Sequence, residues 1–468
     1  MIGTARPVTT LTSPAFALPN VYLRHADPDA LRAMGFPNEA PDVYRQKNTV
    51  FFNYWLRDAG RLSPLFPGPE RTRRFLRRLV ERLPYGNEAL RFLRGPAHQD
   101  ASTVPGIERV LLDNEGKADP NSAKVLRREG QAPTGDTIND KLFFNAGLAV
   151  KQANGLITEV NKTLARMYPA LTVDINMLRG ALILCINHDP EQADNLGWPN
   201  AAAVPIEKGV GLVLFGLLRQ EAEKAVFEDS RTSFSVLWHE LGHLVRNEIR
   251  GFTPYTDIAG AVNEAYADLF SLMMQQVVTH GNKPFPDGTK PEHWSRWAIG
   301  LDFLKPLKIK LADGTTQERQ AAIRQFYAKA FEGHPLMGDD ASLHDLPRLD
   351  ASETEEQSPF FAEECTFDEG GVHIKAASIN KAHYLMITKI FEGMAFPAML
   401  LFSTSMGIAK VNGYPTDDLH QLAWLEILAA TQLFGAEKAA QVRKVWEDDM
   451  KVTGVQLNDP LPVPEQQA

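Results

Sequence analysis

A chain of 468 residues is too long for one compact core and should divide into two or three domains. Its 44% hydrophobic and 23% charged content are ordinary for a soluble globular protein, and a net charge of −9 argues against a general nucleic-acid binder, which would normally be basic. Two cysteines far apart, Cys185 and Cys365, offer neither a disulfide framework nor a cysteine-based metal spacing. No apolar run reaches the length of a membrane span; "GVGLVLFGLL" at 209–218 has the length of a buried strand or a short helix.

In chain order, "MIGTARPVTTLTSPAFALPN" places Arg, Thr, Ser and Pro where a signal peptide needs an unbroken apolar stretch. No classical signal peptide is expected, so the chain is either cytoplasmic or exported by a route its sequence does not display. Residues 1–105 form an N-terminal extension, a prosegment or an added domain. It holds one strong helical stretch, "ERTRRFLRRLVERL", with an apolar stripe of Phe75, Leu76, Leu79, Val80 and Leu83 and six arginines mainly on the other face. A solvated face, or one docked on the acidic remainder of the chain, is favoured there over a membrane-contacting helix. "RGPAHQDASTVPG" at 94–106 reads as a linker.

Residues 106–255 read as a mixed α/β lobe. "IERVLLD" is strand-like, "GLVLFGLL" is a strand or short helix, and "NDKLFFNAGLAVKQANGLITEVNKTLARMY" is a long helix. "SFSVLWHELGHLVRNEI" follows as a helix with Ser or Thr available as N-cap and Gly251 as its stop. From 256 to 468 helices dominate, including "AGAVNEAYADLFSLMMQQVV" and the late amphipathic "GAEKAAQVRKVWEDDM".

The chemistry concentrates in three of these stretches. "WHELGHL" contains His239, Glu240 and His243, and the two histidines lie one turn apart on one helix face, where both imidazoles can reach one ion. Alone this is weak: with 12 histidines, an accidental match is expected in roughly a few chains per hundred of this composition. "NEAYAD" adds Glu264 and Asp268, again on one face. A catalytic zinc ion takes three protein ligands and keeps a position for water, and two histidines with a carboxylate fit that count. Asp268, one turn on, could fix the tautomer of a ligating histidine. The bland alternative is an exposed acidic face, but the flanking Ala261, Val262, Leu269 and Phe270 suggest a helix packed on several sides. In "DEGGVHIKAASINKAHYLM", His373 follows two glycines at the start of a helix, with Asp368 five residues earlier.

"HELGH", "AVNEAYAD" and "GGVHIKAASINKAHYL" resemble, in order, the three signature blocks of the thermolysin-like neutral metallopeptidases, and "LFGAEKAAQVRKVWEDDMKVTGV" resembles that family's C-terminal helix and tail. The resemblance runs from about 107 to 457 and is patchy between the blocks. It implies an α+β, two-lobed catalytic unit with the zinc helix between a mixed α/β lobe and a mainly helical one. It implies one catalytic Zn²⁺ held by His239, His243 and Glu264, with Glu240 as the general base acting on its water. Asp268 would support the first histidine. His373, backed by Asp368, and Tyr255 would stabilise the oxyanion. The substrate would be a peptide or protein.

Weaker correspondences put Asn195 and Trp198, in "DNLGWPN", at the substrate-binding edge, and Arg348 at the position that binds a substrate carbonyl. Glycine inside the motif, Gly242, costs about 1 kcal/mol of helix propensity and suggests close packing. The family's usual double calcium site falls on Ser235, Gln275, Arg296, Ala298 and Leu301, none of them a carboxylate; Asp302 remains but cannot hold calcium alone, so calcium is not expected there. Two rival readings stay open: another zinc hydrolase, such as an aminopeptidase, and a catalytically silent binding protein on the same fold. The first lacks a visible acidic anchor for a free amino terminus, and the second has no need of Glu240, Tyr255 and His373 together.

Overall fold

A computed structural model describes residues 101–452 apart from 118–122, 171–174, 176, 190–199, 208, 219–227, 289–290, 304–306, 311–315, 320–321 and 327–367. The arginine-rich helical stretch of the N-terminal extension, Cys365, Asn195, Trp198 and Arg348 lie outside the described residues, as do the side chains of Asp368 and His373. No helix among the described residues is long and apolar enough to cross a membrane.

The first lobe is built on a five-stranded sheet. Its strands are β1 (Ile107–Asp113), β2 (Lys124–Arg128), β3 (Gly180–His188), β4 (Ala201–Glu207) and β5 (Val210–Gly216), in the order β2-β1-β3-β5-β4. Strands β1, β3 and β5 run parallel, and β2 and β4 pair antiparallel on the two edges. The run "VGLVLFG" is a strand and not a helix: it lies inside the sheet, and all seven of its residues are buried. Burial on both faces explains why it is continuously apolar instead of alternating. Leu212 and Leu214 join one core layer, while Val213 and Phe215 turn to the other.

The long helix α1 (Thr137–Met167) is capped by Asp136, whose side chain accepts from the amides of Ile138 and Asn139. It is followed, after β5, by α2 (Phe234–Arg250), which carries the His-Glu-x-x-His motif. Beyond it come α3 (Asp257–Met274), the short strand β6 (Ala298–Ile299), the hairpin β7 (Leu307–Lys310) and β8 (Thr316–Arg319), and β9 (Arg324–Gln325), which pairs with β6. The remainder is helical: α4 (Asp368–Lys389), α5 (Ala395–Asn412), α6 (Leu419–Phe434) and α7 (Ala436–Lys444). Short π-helical turns extend α3 and α7 over Gln275–Thr279 and Val445–Asp449.

Helix α2 lies between the two lobes, packing on β4 and β5 on one side and against α1, α3 and α5 on others. Glycines set the distances. A Cβ on Gly211 of β5 would come within 2.4 Å of Leu244 of α2. One on Gly242 would come within 2.7 Å of the Ala267 Cα and 3.1 Å of the Phe270 Cβ, both on α3. The helix-weakening glycine of the motif thus lets the backbones of α2 and α3 approach. Gly242→Ala is expected to overpack this crossing and lower stability by about 1–3 kcal/mol. A thermal melt identical to wild type would show that the crossing has room to spare.

Both ends of α2 are held by specific groups. At its N-terminus Ser233 accepts from the Val236 amide at 3.2 Å. Asp302, from the turn after β6, accepts from the Phe234 amide at 2.8 Å and from the hydroxyls of Ser233 and Ser235 at 2.7 and 2.6 Å. A carboxylate here also meets the positive end of the helix dipole. At the C-terminus Gly251 ends the helix with φ +84°, a left-handed conformation that only glycine adopts readily.

Candidate metal and catalytic centre

The spacing of His239 and His243 along α2 turns both imidazoles toward α3, and their Nε2 atoms lie 3.0 Å apart. Close packing at Gly242 brings Glu264 of α3 up to them. Its Oε2 is 3.4 Å from His239 Nε2 and its Oε1 is 3.3 Å from His243 Nε2. A tetrahedral zinc ion with bonds of about 2.0–2.1 Å has its ligand atoms about 3.3 Å apart. The three side chains thus approach one another at about the spacing that zinc ligands need, and they are the His/carboxylate group among the described residues that could hold a metal ion.

Each candidate ligand is braced from behind. His239 Nδ1 donates to Asp268 Oδ1 at 2.8 Å, so its Nε2 is the ring nitrogen that faces the centre. His243 Nδ1 lies 3.2 Å from the Asn263 side-chain oxygen. The Tyr255 hydroxyl donates to Glu264 Oε1. Asp268, fully buried, also accepts from Asn380 of α4 at 2.8 Å.

Arg324 on β9 was not singled out in the sequence, yet it belongs to this centre. Its Nε donates to Asp268 at 2.9 Å, and its Nη2 is 3.1 Å from both Glu264 Oε2 and His239 Nε2. Nothing in "AAIRQF" marks it: the arginine stands alone, without period or motif, and reaches its partners from 56 and 85 residues away.

The electrostatics favour positive charge at the centre. Burial and Arg324 work against a charged His239, but Glu264 and Asp268 outweigh them and raise its pKa to about 9. Burial likewise opposes the ionised form of Asp268, and Arg324 with His239 overcomes it, holding that carboxyl below its usual range. Burial pushes the Glu240 carboxyl up, while His239 and His243 pull it down. Three buried carboxylates, Glu240, Glu264 and Asp268, stand against one guanidinium. That imbalance suits a divalent cation.

The structure thus brings His239, Glu240, His243, Glu264, Asp268 and Tyr255 together. It places His373 by its backbone in the second turn of α4, and Asp368 at the first residue of that helix. At the positions of the family's calcium site, Ser235 bonds Asp302 and the Gly300 amide, and Arg296 bonds the His280 ring. Ala298 and Ile299 are buried in β6.

Residues 253–450 match the family described as the thermolysin metallopeptidase, alpha-helical domain. Among solved structures, the precursor of protealysin, a metalloproteinase from Serratia proteamaculans, matches with 22% identity over 80% of this chain and 96% of that one, at a TM-score of 0.48. No curated protein matches the chain.

Proposed function

We propose that this chain, whose residues 253–450 match the alpha-helical domain of the thermolysin metallopeptidases, is a zinc-dependent endopeptidase with its centre at His239, His243 and Glu264. The observation that carries this reading is the convergence of His239, His243 and Glu264, whose ligating nitrogens and carboxylate oxygens approach to 3.0–3.4 Å, with a buried carboxylate, Glu240, on the helix of the two histidines. A bound zinc ion would supply Lewis acidity, polarising the scissile carbonyl and making water nucleophilic near neutral pH.

The chain's own residues do the rest. Glu240 takes a proton on its carboxylate and returns it to the leaving amine. Burial that raises its affinity for a proton suits that exchange. His373 donates a hydrogen bond to the charge that develops on the carbonyl oxygen, while Tyr255 has a single hydroxyl proton, gives it to Glu264 and so orients that ligand. Asp268 and Asn263 fix the tautomers of the two histidines. Arg324, held by Asp268 beside Glu264, offers a guanidinium at the centre for a substrate carbonyl; Arg348, the residue expected in that role, lies outside the described residues. Hydrolysis of an internally quenched peptide, lost with a zinc chelator and restored by zinc, tests the proposal. Cleavage that removes only the first residue of a peptide would replace it with an aminopeptidase.

The calcium expectation belongs to the same proposal. Asp302 engages the start of α2 through Ser233, Phe234 and Ser235, which fills locally the stabilising task that an ion would perform. Thermal melts with millimolar calcium and with a calcium-selective chelator are expected to coincide. Asp302→Ala should lower stability by about 1–3 kcal/mol through the lost cap and charged hydrogen bonds. An upward shift on adding calcium that vanishes in Asp302→Ala would overturn both statements.

A further inference from the structure

The segment 251–257 joins α2 to α3 and carries Tyr255, whose hydroxyl donates to Glu264. Two buried cations grip it at its two ends. Arg246 of α2, only 2% exposed, donates from Nη1 to the Gly251 carbonyl at 3.1 Å and from Nη2 to Thr253 Oγ1 at 2.6 Å. Lys375 of α4, 7% exposed, pairs with the carboxylate of Asp257. Asp257 opens α3 in a left-handed conformation, φ +48°, which an L residue other than glycine adopts only against a steric cost. Next to Lys375 on the same helix, Val372 is seated on Gly260 of α3, where a Cβ would come within 2.3 Å of it. The tyrosine thus stands between two anchored points and beneath a closely packed helix.

Placing an arginine and a lysine in the interior is costly unless each is well engaged. A connector that only had to link two helices would need neither. Here both engage the one segment that bears Tyr255, Arg246 at Gly251 and Thr253 before it and Lys375 at Asp257 after it. We propose that Arg246 and Lys375 are positioning residues that hold the Tyr255 hydroxyl on the Glu264 carboxylate, and through that contact set the affinity of the centre for its metal. The inference rests on reading His239, His243 and Glu264 as the metal site.

The test is a zinc dissociation constant, measured by competition with a chromophoric chelator, alongside peptide hydrolysis. It uses the full chain as wild type, Tyr255→Phe, Lys375→Met and the double variant. Groups that orient a metal ligand typically contribute 10–100-fold to metal affinity. Tyr255→Phe and Lys375→Met are each expected to weaken zinc binding about 10-fold. The double variant should be no weaker than either alone, because both changes remove the same contact. Asp257→Asn, at an exposed position, and Thr253→Val, which leaves Arg246 in place, should shift affinity in the same direction. They keep the test intact if Lys375→Met fails to fold. Wild-type zinc affinity in Lys375→Met or Asp257→Asn, or losses that multiply in the double variant, would overturn the proposal. A chain that binds zinc with this pattern but cleaves no peptide would overturn the endopeptidase reading and leave the clamp standing.

Discussion

Replacing Glu240 by Gln should abolish most peptide hydrolysis while leaving one equivalent of metal bound. Glu240 is not in the group of side chains whose atoms lie close enough together to hold an ion, which is His239, His243 and Glu264. The amide of Gln keeps the shape and the hydrogen-bonding capacity of the side chain but cannot take up and return a proton. General acid–base groups contribute about 10²–10⁴-fold, and the loss is expected toward the upper end of that range because Glu240 would serve both the attack and the departure of the amine. Metal analysis and single-turnover kinetics on one preparation make the check. Turnover within a few-fold of wild type would remove Glu240 from the chemistry, and loss of metal would make it a ligand.

His373→Ala should slow turnover by about 10²–10³-fold, near 3 kcal/mol of transition-state stabilisation, with little change in KM or in metal content. The backbone of His373 is pinned on both sides, by Val372 on Gly260 and by Lys375 on Asp257. A rise in KM with unchanged kcat would assign His373 to substrate binding instead. A variant that purifies without metal would assign it to the ligand set.

The parts of this centre that were legible in the sequence are those whose partners are near in the chain or share a helix period. His239 and His243 are one turn apart, as are Glu264 and Asp268, and both helices announce themselves by apolar faces and end signals. Ser233 and Gly251 end α2 where the cap chemistry predicts, and "IERVLLD" forms the strand expected of it. The strand-or-helix ambiguity of the 209–218 run could not be resolved by periodicity, since a strand buried on both faces has none. Arg324 escaped for a different reason. It is a single charged residue in a short strand, and what gives it meaning is a contact across 56 to 85 residues of chain; Asp302 stood out only as a carboxylate too isolated to hold calcium, and its hold on α2 spans about 67 to 69 residues. The pairing of Lys375 with Asp257 spans 118 residues and is equally silent. Local patterns report local geometry; the braces of the centre come from tertiary contact.

All three candidate ligands sit on α2 and α3, which are joined by residues 251–256, whereas the sheet that supports α2 pairs β1 with β3 across the whole of β2 and α1. Closing the short helical connection costs little chain entropy, and closing the long parallel pairing costs more and is slow. The ligand set can therefore assemble in a helical hairpin while the sheet is still forming. The metal grip thus belongs to a local hairpin and does not depend on the long-range pairing of the sheet for its chain closure.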